Sequence, residues 1–231
     1  MFLMHILLYV LIINLRLYIL TTISLFFFFL LAMTVFNTDL AFAKKEGDFE
    51  SKNIIELCCA WGDSLDDGIL TFSIENGASD LAKIVKLAFN DWEKSLDGEI
   101  EFKYVKEDSD ADIEIEFKKG KGKKVGESVI YFDNDEFINF VEIDISKKSY
   151  DVTLGVRTLE NIVKHEIGHA LGLGHANFKD TLMSPNIDEI ITEISACEIN
   201  SVKYANYWKF IDNEDSPNYN SEDYSFKCKK K

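Results

Sequence analysis

The chain has 231 residues, enough for one domain of ordinary size plus a targeting segment, and its 40 acidic against 25 basic side chains leave a net charge of −15. That excess of negative charge argues against binding nucleic acid and against attraction to anionic lipid, both of which repel an acidic surface. It does not identify a substrate, because an acidic surface also serves solubility.

Met1 to Ala43 is almost wholly apolar, carries Phe26-Phe27-Phe28-Phe29, and ends in Ala41-Phe42-Ala43 just before Lys44-Lys45-Glu46. An apolar stretch closed by an A-x-A site reads as a cleaved signal peptide. The run from Leu17 to Phe36 is also long enough to span a bilayer, so an uncleaved membrane anchor is the rival reading. Either way the remainder lies outside the membrane, so a secreted, extracellular protein is expected, or one held at the cell surface by this segment. His5 lies in the apolar stretch and is no metal-ligand candidate. Residues 44–60 are read as an N-terminal linker, 61–211 as the folded domain, and 212–231 as a polar, loosely ordered tail ending in three lysines.

Within the domain, Leu70 to Ile74 alternates apolar and polar residues as a half-buried strand does. From Ser79, a candidate N-cap, the apolar spacing becomes helical: Leu81, Ile84, Val85, Ala88, Phe89 and Trp92 share one stripe until Gly98 stops the helix. Strand alternation returns at Ile100 to Tyr104 and at Ile113 to Phe117. Strand, helix and parallel strand make a right-handed crossover. After the glycine- and lysine-rich loop Lys118 to Lys124, strands are expected at Ser128 to Phe132 and Phe140 to Ile145, joined through Asp133 to Glu136. A helix is expected from about Thr158, with Ile162, Val163, Ile167, Ala170 and Leu171 facing the core. Ser195-Ala196-Cys197-Glu198 reads as a capping box opening a last helix through Tyr207 or Trp208. The class is α+β.

The four cysteines, Cys58, Cys59, Cys197 and Cys228, suit disulfides in an extracellular setting. A bond between the adjacent Cys58 and Cys59 needs a strained ring, so one or two bridges from this edge to Cys197 and Cys228 are expected.

Between His165 and His175 the chain reads HEIGHALGLGH, which holds three of its four histidines. Residues four apart on a helix lie on one face, so His165 and His169 can point at one metal ion. Glu166 sits about 100° further round and is placed to act as a base beside the metal. Gly172 tolerates the positive φ that ends a helix sharply, and Leu173-Gly174 then return His175 to the metal. Three neutral imidazoles with one open position make a catalytic zinc site, since a structural site is closed by a fourth protein ligand.

HEIGHALGLGH matches the extended zinc signature HExxHxxGxxH, and the chain resembles the metzincin metalloproteases on this motif. Thr181-Leu182-Met183-Ser184-Pro185, eight residues beyond His175 at Met183, is similar to the Met-turn of the matrixin branch. The resemblance spans roughly Trp61 to Trp208. It implies a zincin-like catalytic domain: a twisted mixed sheet of about five strands, three helices, and a zinc cleft between upper and lower lobes. It implies Met183 as an apolar floor under the metal and polypeptides as substrates, and a monomer is expected.

Departures are as informative. The histidines that hold a second, structural zinc in vertebrate matrixins have no counterpart, as none occurs between His5 and His165. Ile130 to Glu136 echoes a family segment that binds metal, with Tyr131 in place of its histidine. That carry-over would make Asp133 and Glu136 calcium ligands, but a hairpin turn is the favoured reading, as Asp and Asn are ordinary turn residues. Asp108, Asp110 and Asp112 invite the calcium reading more weakly. The Pro-Arg-Cys-Gly context of the matrixin cysteine switch is missing around Cys58 and Cys59. Pro185 stands where some metzincins carry a helper tyrosine.

The resemblance implies a secreted zinc endopeptidase. Zinc on His165, His169 and His175 lowers the pKa of its water, and Glu166 takes the proton and passes it to the leaving amine. Substrate is expected to lie extended along Ser128 to Phe132, with Asn186 to Glu193 shaping the pocket beyond the cut. Two alternatives stand beside this: a cell-surface zinc-binding module without protease activity, which Glu166 argues against, and a membrane-anchored processing protease of narrow specificity.

Overall fold

A computed structural model describes residues 53–106, 110–120, 122–186, 191, 193–210 and 225–228, all within a compact unit running from Lys52 to Lys231. The signal peptide or anchor, His5, Asp108, most of the pocket loop after Asn186 and most of the polar tail lie outside the described residues. Among those described, no helix is long and apolar enough to cross a membrane.

The main sheet has five strands: β2 (Ile69–Glu75), β3 (Glu101–Tyr104), β4 (Ile113–Lys118), β5 (Gly126–Phe132) and β6 (Ile138–Ser146). Their order is β3-β2-β4-β6-β5, parallel throughout except for β5, which runs antiparallel to β6 along one edge. Both predicted hairpin strands are present, each beginning two residues early. Period-two alternation sends Ile113, Ile115 and Phe117 inward, while Glu114 and Glu116 stand on the other face. There Lys118 reaches Glu116 at 3.0 Å and Asp144 at 2.8 Å, relieving the repulsion of a row of carboxylates. Partial burial, and after it the neighbouring carboxylates, raise the pKa of Glu114.

Helix α1 (Ser79–Ser95) links β2 to its parallel neighbour β3, as expected. Five of its six stripe residues (Ile84, Val85, Ala88, Phe89 and Trp92) are buried and Leu81 is partly so, with the Phe89 ring 4.0 Å from that of Phe72. Ser79 is the first helical residue and not the cap; Ala78 holds the cap position and offers no side-chain bond. At the far end Asp97 and Gly98 both take positive φ, and Gly98 N–H donates back to Glu93 O at 2.9 Å.

Helix α2 (Val156–Ala170) begins two residues before Thr158, because extended Gly155 already accepts from Leu159 N–H. It packs on α1, where the buried Trp92 indole donates to Lys164 O at 3.0 Å. Lys164 is itself buried, and its ammonium reaches Asp91 at 2.7 Å and Glu160 at 2.9 Å.

A second sheet was not legible in the sequence. It joins β1 (Ile54–Leu57) to β9 (Leu173–Ala176) on one side and to β10 (Ser225–Lys227) on the other, both antiparallel. Part of the presumed linker and part of the presumed loose tail are therefore strands. Between β6 and α2 in sequence lies a small hairpin, β7 (Lys148–Ser149) with β8 (Val152–Thr153).

Helix α3 (Ala196–Ala205) opens with the predicted capping box. It stops before Tyr207, and a separate turn, α4 (Tyr207–Phe210), follows. The break lies at Asn206, whose buried amide accepts from Trp61 N–H at 3.0 Å and donates to Leu171 O at 3.0 Å. The disulfides correct the expected pairing. Cys197 bonds Cys228, and Cys58 bonds Cys59. The reason is β10: pairing with β1, where Cys228 N–H donates to Asn53 O, leaves Cys228 over the start of α3 and out of reach of Cys58.

Candidate active site

Two elements and the turn between them assemble the three histidines. His165 and His169 stand one turn apart on α2, with His165 buried and His169 partly so. Gly172, at φ +94°, reverses the chain, and β9 carries exposed His175 back toward the helix. One nitrogen from each ring lies within 4.8 Å of the others, and the rings are 4.7 to 5.4 Å apart. Among the described residues this is the group that could hold a metal ion.

The backbone sets the tautomers. A carbonyl can only accept, so His165 Nδ1–H donates to Leu182 O at 2.6 Å and His169 Nδ1–H donates to Leu173 O at 2.7 Å. Both Nε2 lone pairs are thereby turned inward, 3.0 Å apart. Desolvation by burial lowers the pKa of His165, and burial with the neighbouring His165 lowers His169 to about 4. Neutral imidazoles held by carbonyls are the donor set that zinc prefers, so the residues fit the ion.

Glu166 is 5% exposed and faces β5, where its Oε2 accepts from the Ser128 hydroxyl at 2.7 Å. Burial pushes its carboxyl up to about 7, against the opposing pull of Ser128 and Lys124. The histidines and Glu166 line one cleft of about 810 Å³, with Ser128, Ile162 and Pro185 in its walls.

Met183 is fully buried, and its carbonyl accepts from Ala176 N–H, next to His175, at 2.8 Å. A Cβ at Gly168 would come within 2.5 Å of its sulfur, so the glycine inside the motif is what lets Met183 lie against α2. Leu182 beside it is held from both sides, its carbonyl by His165 and its N–H by Glu198 Oε1 at 2.9 Å. Glu198 is fully buried and also accepts from the Thr181 hydroxyl and from Ser195 N–H. The sequence marked Glu198 as a cap; its reach into the Met183 segment was not foreseen, because only the fold brings α3 there. Glu198→Ala strands several buried donors and is expected to cost about 3 kcal/mol, read from urea denaturation. A loss under 1 kcal/mol would contradict this role.

The chain matches the matrixin family model over residues 63–204, more than half its length. It belongs to the matrixin family. This matrixin is 41% identical over 59 residues to Metalloendoproteinase 5-MMP of Arabidopsis thaliana, a match covering 26% of the chain and 16% of that relative. It also aligns with the solved structure of myroilysin at 15% identity and a TM-score of 0.45, over 64% of this chain and 82% of that one.

Among the described residues, the calcium candidates are not gathered into a comparable group. Asp133 lies in the turn between β5 and β6, where its Oδ1 accepts from Asp135 and Phe137 N–H at 2.9 Å each, and Glu136 takes a turn conformation at φ +66°. Asp112 accepts from the backbone and hydroxyl of Thr71. Tyr131 donates to Glu142 at 3.0 Å.

Proposed function

We propose that this matrixin is a secreted zinc-dependent endopeptidase that cleaves polypeptides, with His165, His169 and His175 as metal ligands and Glu166 as general base. The observation that carries the reading is the convergence of three imidazoles beside the buried Glu166 carboxyl in the lining of one cleft.

Zinc held there would supply Lewis acidity, lowering the pKa of water in its open position and polarising the scissile carbonyl. The protein's own part is proton handling and placement. Glu166 accepts the proton of the attacking water and delivers it to the departing amine, a task suited to a carboxyl raised toward neutrality. Leu182 and Leu173 carbonyls keep the imidazoles oriented through the cycle. β5 is an edge strand of the main sheet and lines the cleft, so an extended peptide can add to it as a further strand. Met183 closes the floor without acting as a ligand.

Secretion is supported by the A-x-A site after an apolar leader and by two cysteine pairs, which persist in oxidising compartments. The enzyme is proposed to act as a monomer without nucleic-acid partners.

The test is cleavage of an unfolded protein by the purified full chain, with zinc measured alongside. One zinc per chain is expected, and a chelator should abolish cleavage until zinc is returned. A folded chain without stoichiometric zinc ends the reading. Bound zinc without cleavage of any polypeptide favours the zinc-binding module instead.

A further inference from the structure

We propose that Ser128 is a positioning residue for Glu166, so that the edge strand β5 aims the base as well as offering its backbone to substrate. This rests on the reading of Glu166 as general base.

Ser128 and Gly126 alternate along β5 and therefore face the same way, toward α2. The Ser128 hydroxyl lies 2.7 Å from Glu166 Oε2 and 3.2 Å from Glu166 O, and since both are acceptors the hydroxyl is the donor. Gly126 serves the other carboxylate oxygen by lacking a side chain. A Cβ there would fall 2.1 Å from Oε1 and 2.8 Å from Cδ. One strand thus grips Oε2 and clears space for Oε1.

A glutamate has three rotatable torsions, and burial limits them without selecting a direction. A proton acceptor works only within hydrogen-bond reach of the proton, and small displacements are costly. Fixing Oε2 leaves Oε1 as the oxygen free to accept. An apolar residue at 128 would leave Oε2 without its partner, whereas no buried side-chain polar atom among the described residues lacks one. Because the peptide is expected on the same strand, the spacing between base and scissile bond is set by a single element.

The experiment compares the purified full chain with Ser128→Ala, Ser128→Thr and Gly126→Ala. It reads kcat and KM separately, zinc content, and crystal structures of the metal-free proteins. Ser128→Ala should lower kcat between about tenfold and a hundredfold, with KM and zinc within about twofold of wild type. Ser128→Thr, which keeps the hydroxyl, should recover most of that loss. Gly126→Ala should displace the carboxylate in the crystal and lower kcat as well. In metal-free Ser128→Ala crystals the Glu166 carboxylate should leave its wild-type position. Unchanged kcat in Ser128→Ala, or a threonine variant as slow as the alanine one, overturns the proposal. Wild type that holds zinc but cleaves nothing overturns the endopeptidase reading, and the metal-free crystals then decide separately whether Ser128 holds the carboxylate.

Discussion

Glu166→Gln is expected to lower kcat by on the order of 10³-fold while zinc content stays at the wild-type level. Glutamine keeps the shape and can still accept from Ser128, so the fold and the three imidazoles are untouched. What it loses is the ability to take a proton from water. In the metal-free site burial holds the carboxyl at about 7. A cation on the neighbouring imidazoles favours the ionised form, so the acid limb of kcat/KM should lie below pH 7. Activity falls as pH drops through that limb, because a protonated carboxyl cannot act as base. In Glu166→Gln this limb should disappear from the residual rate. Residual activity within tenfold of wild type would remove Glu166 from the mechanism, and loss of zinc would mean that its role is structural.

The largest structural effect is expected at Gly172. Its φ of +94° is strained for any other residue, and a Cβ there would sit 2.2 Å from the carbonyl oxygen of Cys59. That neighbour is backbone and cannot swing away, since Cys58 N–H is bonded to Gly172 O at 3.0 Å in the same contact. Gly172→Ala should therefore cost about 4 kcal/mol, strain and collision together. Gly98→Ala separates the two, because φ is +74° there with open space around the Cβ, and should cost only about 1 kcal/mol. Thermal denaturation of both variants with zinc quantification checks this. Gly172→Ala should also bind zinc more weakly, since the displaced turn leads directly into His175. Equal losses at the two glycines would refute the collision argument.

Helix α2 and the histidine cluster were legible because their pattern is written at fixed local spacing, one helical turn and one glycine reversal. The β2-α1-β3 unit was legible because alternation changes cleanly to helical spacing and back. The sheet of β1, β9 and β10 was not. Its strands are three or four residues long, too short for a periodic signal, and Ile54 pairs with Lys227 across almost the whole domain. The cysteine pairing failed for the same reason, since it follows from that sheet. Asn206 and Glu198 look like ordinary helix-end residues until the fold brings Trp61, Leu171 and Leu182 to them. The Ser128 contact was likewise invisible, since it joins residues 38 apart on different elements.

The strand that carries His175 is braced by the two ends of the domain: β1 lies beside it, and β10 lies beyond β1, fastened to α3 through Cys228. The stretch shared with other matrixins, 63–204, contains every proposed metal ligand and yet omits both braces. Family boundaries are thus a poor guide for trimming this protein. Cutting at Asp63 and Tyr204 would preserve the whole motif while removing the support of its third histidine, and the shortest piece that keeps that support runs from Asn53 to Cys228.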